Sequence, residues 1–275
     1  MPDPSRWTAA QLAHQVRSHL DSLRSAGLDW LPFAPPPEFS IVQSTTETPA
    51  QDRPTSTPNR VTEEPACPEI AEATEPSITS RRQALQVLAG QVSACARCPG
   101  LAATRTQTVF GVGQVGADLC FVGEAPGADE DRQGEPFVGA AGQLLDRIIA
   151  ACGMKRDEVY ICNIIKCRPP GNRVPTVDEA GHCREWLEKQ IELVHPKFIC
   201  ALGGTAANNL LGTTKPIGQL RQRFHDFKGI PVLCTYHPAF LLPHRSPHKK
   251  RDVWDDMKML LAKMGRTIPK VPSNG

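Results

Sequence analysis

Long apolar runs are absent from this 275-residue chain: none reaches the roughly 20 residues that a membrane-spanning helix needs. No secretory leader or transit segment is recognisable, so a cytoplasmic protein is expected. A G-x-x-x-x-G-K-[ST] loop is also missing, which argues against a hydrolase of free nucleotides with a phosphate-cradling loop. No internal repeat is present. Large apolar residues become scarce between 31 and 80, where ten prolines stand among Ser, Thr and Glu. Such a stretch cannot bury enough surface to offset the entropy of ordering, and it reads as a disordered linker. Ahead of it Leu12, Val16, Leu20 and Leu23 recur at helical spacing. That is the mark of a short amphipathic helix that docks on the domain or on a protein partner.

The net charge of +2 conceals an asymmetry. Residues 1–80 hold 5 basic and 11 acidic side chains (−6), whereas 81–275 hold 26 and 18 (+8). The folded part is therefore cationic, and His244, Arg245, His248, Lys249, Lys250 and Arg251 cluster late in it. A polyanion would be drawn to that cluster, although a solvated basic helix start has the same composition. The ten cysteines of a cytoplasmic protein are reduced thiols or ligands rather than disulfides.

From residue 81 onward short apolar runs alternate with helical patterns. Leu119 to Gly123, Val159 to Asn163, Lys197 to Leu202 and Pro231 to Thr235 read as strands. Helices are predicted at 81–94, 140–151, 178–194, 204–211 and 249–264. The third opens at Thr176 with Glu179 three residues on, a capping box, and turns Cys183, Leu187, Ile191 and Val194 inward. Strands alternating with helices specify an α/β fold: a three-layer α/β/α sandwich around a mostly parallel four-stranded sheet, preceded by a disordered N-terminal extension. The expected limits are 1–80 for the extension, 81–265 for the folded domain and 266–275 for a disordered tail.

Leu119 to Asp146, LCFVGEAPGADEDRQGEPFVGAAGQLLD, delivers a lone carboxylate, Glu124, into a Gly/Pro turn at a strand end, where α/β sheets bind ligands. Beyond an acidic loop, Asp129 to Asp131, Phe137 precedes a helix whose apolar face is Leu144, Leu145, Ile148 and Ile149. These two are equally a solvated turn carboxylate and a ring that staples the helix start. Asn163 ends a strand, where an amide can read a planar heterocycle through one donor and one acceptor, or simply cap the turn. His237, in YHPAFLL, follows the last strand. A lone histidine is more often structural, but this one shares the strand-end edge with Glu124 and Asn163, and three such groups on one rim favour a site.

Cys120, Cys162, Cys200 and Cys234 each lie within a predicted strand and read as packing thiols. Cys67 belongs to the extension and Cys152 to a helix end. Cys95-x-x-Cys98, Cys167 and Cys183 remain, four thiolates suited to zinc or to a cubane iron-sulfur cluster. Zinc sites more often use two close pairs, and only the first pair here is close, so the spacing leans to a cluster. Four unligated buried cysteines are the weaker alternative.

With Cys95-x-x-Cys98, GEAPG and the following EPFVGAAGQLLD, NIIKCRPPGNRVPT with Cys183, and YHPAFLL in hand, the chain resembles the family 4 uracil-DNA glycosylases, the iron-sulfur branch of that superfamily, over about Cys95 to Met264. The resemblance implies a monofunctional DNA repair enzyme that flips uracil out of DNA and hydrolyses its N-glycosidic bond. It implies that Cys95, Cys98, Cys167 and Cys183 hold a structural 4Fe-4S cluster. Phe137 would stack on the base, Asn163 would read its edge, His237 would face its O2, and the Gly123, Glu124 and Ala125 turn would line the pocket. Glu124 and His237 are then the expected catalytic pair, one favouring the cationic sugar and orienting water, the other donating to the departing base. Leu241 would fill the gap left in the base stack, and Arg245, Lys249 and Lys250 would meet the backbone of single- or double-stranded DNA.

Three departures qualify the match. Pro243 and His244 precede Arg245 where the family pattern commonly has an Arg directly, Gly127 stands where some members exclude thymine with an aromatic ring, and no Lys/Arg-rich insertion follows KCRPP. The last points to turnover rather than covalent trapping on DNA. A monomer is expected. The rival reading is a non-catalytic iron-sulfur DNA-binding accessory protein on the same fold.

Overall fold

The computed structural model describes residues 76–243 and 245–268. The expected N-terminal helix, nearly all of the linker, Cys67, His244 and residues 269–275 lie outside them. Six strands form one sheet: β1 (Val112–Gly113), β2 (Leu119–Gly123), β3 (Tyr160–Asn163), β4 (Phe198–Leu202), β5 (Phe224–Phe227) and β6 (Ile230–Thr235). Their spatial order is β1-β3-β2-β4-β6-β5. The four expected strands are its parallel centre, with Cys120 opposite Tyr160, Cys120 opposite Ile199, and Cys200 opposite Leu233.

The sheet is wider than the expected four strands, because an antiparallel strand closes each edge. β1 has two residues, too few to show alternation. β5 and β6 form a hairpin whose two loop residues, Lys228 and Gly229, both take positive φ (51° and 84°). That is the conformation of a primed hairpin turn, but Lys-Gly advertises it far less than Asn-Gly does.

Helices cover both faces: α1 (Ile78–Ser93), α2 (Pro99–Thr104), α3 (Ala128–Gln133), α4 (Ala140–Ala151), α5 (Val177–Val194), α6 (Gly204–Leu211), α7 (Ile217–Leu220) and α8 (Lys250–Lys263). α1 begins at Ile78, with Ser77 accepting from the Ser80 N–H, so ordered structure starts inside the stretch assigned to the linker. The capping box of α5 forms as expected: the Glu179 N–H donates to Thr176 Oγ1 (3.2 Å) and the Thr176 N–H to Glu179 Oε2 (2.9 Å). The strands alternate strictly between two cores, as a pleat requires. Cys120, Val122, Cys162, Ala201 and Cys234 face α1, α5 and α6, whereas Leu119, Phe121, Ile161, Cys200 and Leu233 face α4 and α8. The four strand cysteines are thus buried packing thiols. No helix of the described residues is long and apolar enough to cross a membrane.

One buried ion pair fixes the last helix to the last strand. Asp256 on α8 accepts from Arg221 Nε (2.7 Å) and from the Thr235 hydroxyl at the end of β6 (2.6 Å). Their side chains are 0% and 7% exposed for Asp256 and Arg221. Removing one partner of such a pair strands the other charge in the interior. Asp256→Ala is therefore expected to lower unfolding free energy by about 3–5 kcal/mol, measured by guanidinium denaturation. A loss below about 1 kcal/mol, the scale of an exposed pair, would show that Asp252, whose carboxylate lies 3.4 Å from Arg221, is partner enough for that cation.

Candidate active site

β2 sits centrally, and the chain leaves it for β3 on one side and later returns to β4 on the other. Neighbouring connections diverge there, leaving a crevice beyond the carboxyl ends of the strands. A cavity of about 490 Å³ occupies that crevice. Glu124 follows β2, Asn163 ends β3 and His237 follows β6, and all three line the cavity with Ala125 and Phe137. Gly123 lies beneath them. A Cβ there would come within 2.4 Å of both the Phe137 ring and Asn163 Oδ1, so its hydrogen side chain is what lets ring and amide approach.

Phe137 is held in a left-handed conformation, φ 56°, which costs a residue with a Cβ about 1–3 kcal/mol. The sequence marked Asp129 to Asp131 as an acidic loop; the structure makes it helix α3, and its middle residue anchors Phe137. Glu130 accepts from the backbone N–H groups of Gly127 (3.1 Å), Val138 (3.0 Å) and Gly139 (3.0 Å), binding the turn after β2 to the segment after the ring. Asp131 is buried and accepts the Thr106 N–H on both oxygens at 3.0 Å. Arg156 donates to the Pro136 carbonyl (2.6 Å) while pairing with Asp146 and Glu135. The Phe137 ring stacks on the His237 imidazole, centroids 5.5 Å apart and planes 30° apart. Glu130 carries no signal of this role in sequence, since its partners are backbone groups, and neither does Arg156, whose partners lie 10 to 21 residues away.

Asn163 is 1% exposed, and its Oδ1 has no hydrogen-bond partner among the described residues. A buried orphan acceptor costs about 1–3 kcal/mol, so this oxygen is held ready for a donor that enters the cavity. The main chain beside it is set by the Ile164 N–H donating to Gly123 O (3.0 Å) and the Ile165 N–H to Glu124 O (3.4 Å), which continue the β2–β3 ladder into the turn carrying Glu124. His237 caps the short 3₁₀ turn Pro238–Leu241 by accepting the Ala239 N–H on Nδ1 (3.1 Å). Burial drives its pKa down to about 4, with Glu130 opposing and Arg245 assisting. The imidazole is therefore neutral at physiological pH, with its proton on Nε2, a donor without a charge.

The same turn separates two residues that the sequence grouped. Consecutive side chains of a 3₁₀ turn diverge by a third of a revolution. Phe240 is 38% exposed at the cavity mouth, whereas Leu241 is 1% exposed and packs with Leu144, Leu145, Val253 and Met257. Leu241, expected to fill the gap in the base stack, is thus packed in the core of this structure, and Phe240 is the exposed apolar residue of the turn. Val174, 59% exposed, stands on the opposite wall. Arg245 lines the cavity; Lys249 and Lys250 do not, and Lys249 bridges to Asp252 at 3.0 Å.

A second, smaller cavity gathers Cys95, Cys98, Cys167 and Cys183 with Arg105 and Lys166. Arg105 Nη1 donates to Cys167 Sγ (2.9 Å), and Cys98 Sγ is 3.6 Å from His182 Nδ1. Burial pushes the Cys98, Cys167 and Cys183 thiols up, Cys183 to about 11, and the neighbouring cysteines push in the same direction. Glu179, the carboxylate nearest in the wall, is spoken for by Arg173 (2.6 Å) and Thr176. The donors left in this cavity are the four thiols and the His182 ring. Among the described residues no three His, Cys, Asp or Glu side chains converge closely enough for a single metal ion.

The comparisons with known proteins agree with this geometry. Residues 110–258 match the Uracil DNA glycosylase superfamily. The type-4 uracil-DNA glycosylase of Thermotoga maritima is 40% identical over 181 residues, 65% of this chain and 94% of that protein. That of Archaeoglobus fulgidus is 38% identical over 68% of this chain and 96% of its own length. The type-5 uracil-DNA glycosylase of Pyrobaculum aerophilum is more distant, 31% identical over 53% of this chain and 78% of that protein. The match spans the strand-end crevice and its four polar and aromatic groups, and the chain belongs to the uracil DNA glycosylase superfamily, beside its type-4 members.

Proposed function

We propose that this protein is a monofunctional uracil-DNA glycosylase that extrudes uracil from DNA and hydrolyses its N-glycosidic bond, leaving an abasic site and free uracil for base excision repair. The observation that carries the reading is the Phe137–His237 stack beside the buried, unpartnered Asn163 oxygen at the strand-end crevice. A base inside a duplex cannot reach such a recess, so the nucleotide must leave the stack. Phe137 offers the ring on which it lies. Asn163 Oδ1 takes the uracil N3–H and its amide nitrogen donates to O4. Bond cleavage leaves a cationic sugar and an anionic base. The neutral His237 donates from Nε2 to the charge growing on O2. Glu124 stands where a carboxylate favours the sugar cation and orients the attacking water.

The donor chemistry of the second cavity fits an iron-sulfur cluster: four cysteines line one space, and thiolates are the ligands that such clusters take. Cys95, Cys98, Cys167 and Cys183 would hold a 4Fe-4S group that cross-links the α1–α2 connection to the β3–α5 segment when bound. Hydrolysis needs no redox step, so the role is structural. Uracil-containing DNA is the partner, and Arg245, Lys249 and Lys250 supply cations for its phosphates.

The decisive assay is release of free uracil, with an alkali-labile site, from a uracil oligonucleotide in EDTA. No release would return the protein to the accessory, non-catalytic reading. In the same assay Asn163→Asp should abolish most uracil excision, because a carboxylate leaves the uracil O4 acceptor without a donor, and should gain weak excision of cytosine through a protonated Asp donating to N3 and accepting from N4. Undiminished uracil cleavage with no cytosine cleavage would remove Asn163 from base reading.

The protonation state of His237 sets a pH signature. Its folded pKa, about 4, lies below the usual imidazole value, so its neutral form and the stability tied to it persist above that usual value and are lost as pH falls toward 4. Single-turnover rates should therefore show no step from this residue near pH 6.5, and His237→Ala should slow them by about 10²–10³-fold at all pH values above 5. A rate that falls as pH rises through 6.5 would mean that the imidazolium is the working form.

Phe240 and Leu241 separate cleanly by substrate. Phe240→Ala should slow excision from duplex DNA by about 10–100-fold, the scale of an unstacking cost of a few kcal/mol, and spare single strands. Leu241→Ala should cost about 2–5 kcal/mol of stability as a core truncation while leaving the duplex-to-single-strand rate ratio unchanged. The reverse pattern would restore Leu241 as the residue entering the stack.

A further inference from the structure

Lys166 is a fully buried lysine, 1% exposed, that uracil hydrolysis does not use. It stands between Asn163 and Cys167, in the segment that leaves β3. Its ammonium donates to the Asn163 carbonyl (2.8 Å) and to Gln190 Oε1 (2.5 Å), both neutral. Gln190 is itself pinned, because its Nε2 donates to the Phe110 carbonyl and to the Tyr160 hydroxyl, each at 2.9 Å. The Phe110 ring faces the ammonium at 5.9 Å. Among the described residues no carboxylate pairs with this cation, in contrast to Arg221, which has Asp256. A charge taken out of water needs an opposite charge, and neutral oxygens alone do not provide it.

The nearest anionic candidates are sulfurs. Lys166 lines the same small cavity as Cys95, Cys98, Cys167 and Cys183. Arg105 also reaches the cavity, with Nη1 on Cys167 Sγ and Nη2 on the Cys95 carbonyl (2.8 Å). We propose that Lys166 is the buried countercharge of the thiolate-ligated iron-sulfur group, and that its bond to the Asn163 carbonyl links that charge to the base-reading end of the uracil pocket. The inference rests on the reading of the four cysteines as cluster ligands. Arg105 has its charge closer to the surface and touches sulfur directly; Lys166 acts from the dry side, where its field is least screened.

The test uses full-length holoprotein: wild type, Lys166→Gln, Lys166→Met and Gln190→Leu. Iron and acid-labile sulfide are counted first, then the cluster's reduction potential is titrated and its bleaching by a chelator is timed. Removing a nearby positive charge disfavours the more negative, reduced cluster, so both Lys166 variants should shift to lower potential and Gln190→Leu, which keeps the cation, should not. Bleaching should accelerate by about 10–100-fold in the Lys166 variants, the range for lost support around a metal site. Equal potentials in wild type and Lys166→Gln, or equal shifts in Lys166→Gln and Gln190→Leu, would make Lys166 a hydrogen-bonding strut and overturn the proposal. If neither neutral variant accumulates, Lys166→Arg decides: wild-type iron content supports the countercharge, and a folded, colourless protein refutes it. Wild type that folds without iron would overturn the cluster reading itself, a result distinct from unchanged potentials.

Discussion

The carboxylate of Glu130 governs the pocket without needing to touch the base. Three backbone N–H groups, from Gly127, Val138 and Gly139, converge on it, and between the first and the other two lies Phe137 in its left-handed conformation. Hydrogen bonds to a charged acceptor are about twice as strong as neutral ones, which is enough to offset the local strain at Phe137. The ring is thereby pressed toward Gly123 and the His237 imidazole before any ligand arrives. The same carboxylate opposes the fall in the His237 pKa. The same residue thus positions the aromatic surface and tempers, without reversing, the effect of burial on the donor.

Two cavities on either side of the β3 end divide the labour. One holds the reading and donating groups, the other the four thiols, and the six residues from Cys162 to Cys167 contribute to both. Asn163 faces the first and Cys167 the second, with Ile164 and Ile165 buried between them as a rigid spacer. On the proposed reading, a cluster placed this close would hold the Asn163 amide more firmly than a loop alone.

Much of this was legible in the sequence. The four parallel strands announced themselves as short β-rich runs, and the α5 start as Thr176 with Glu179, because period and caps are local properties. That Glu124, Asn163 and His237 line one cavity was readable because each stands at a strand end, and in an α/β sheet strand ends share a rim. What escaped was set by long-range or single-turn geometry. The β5 strand hid behind an unusual Lys-Gly turn. Glu130 was read only as part of an acidic loop because its partners are main-chain groups. Lys166 drew no reading of its own, because nothing local marks a lysine for burial. Phe240 and Leu241 are adjacent apolar residues, and only the 3₁₀ turn reveals that one faces the cleft and the other the core.

The position of β6 in the sheet has a consequence for how the protein is made. It is the last strand in sequence, yet it lies inside the sheet, between β4 and β5. Synthesis delivers β1 to β4 first, so the growing chain holds a bare β4 edge and a base-reading amide with no histidine opposite it. A bare edge is a template for pairing with other chains. Insertion of the β5–β6 hairpin covers that edge and brings His237 to the rim in one event. Protection from aggregation and competence to cut are therefore acquired together, and an unfinished chain has neither.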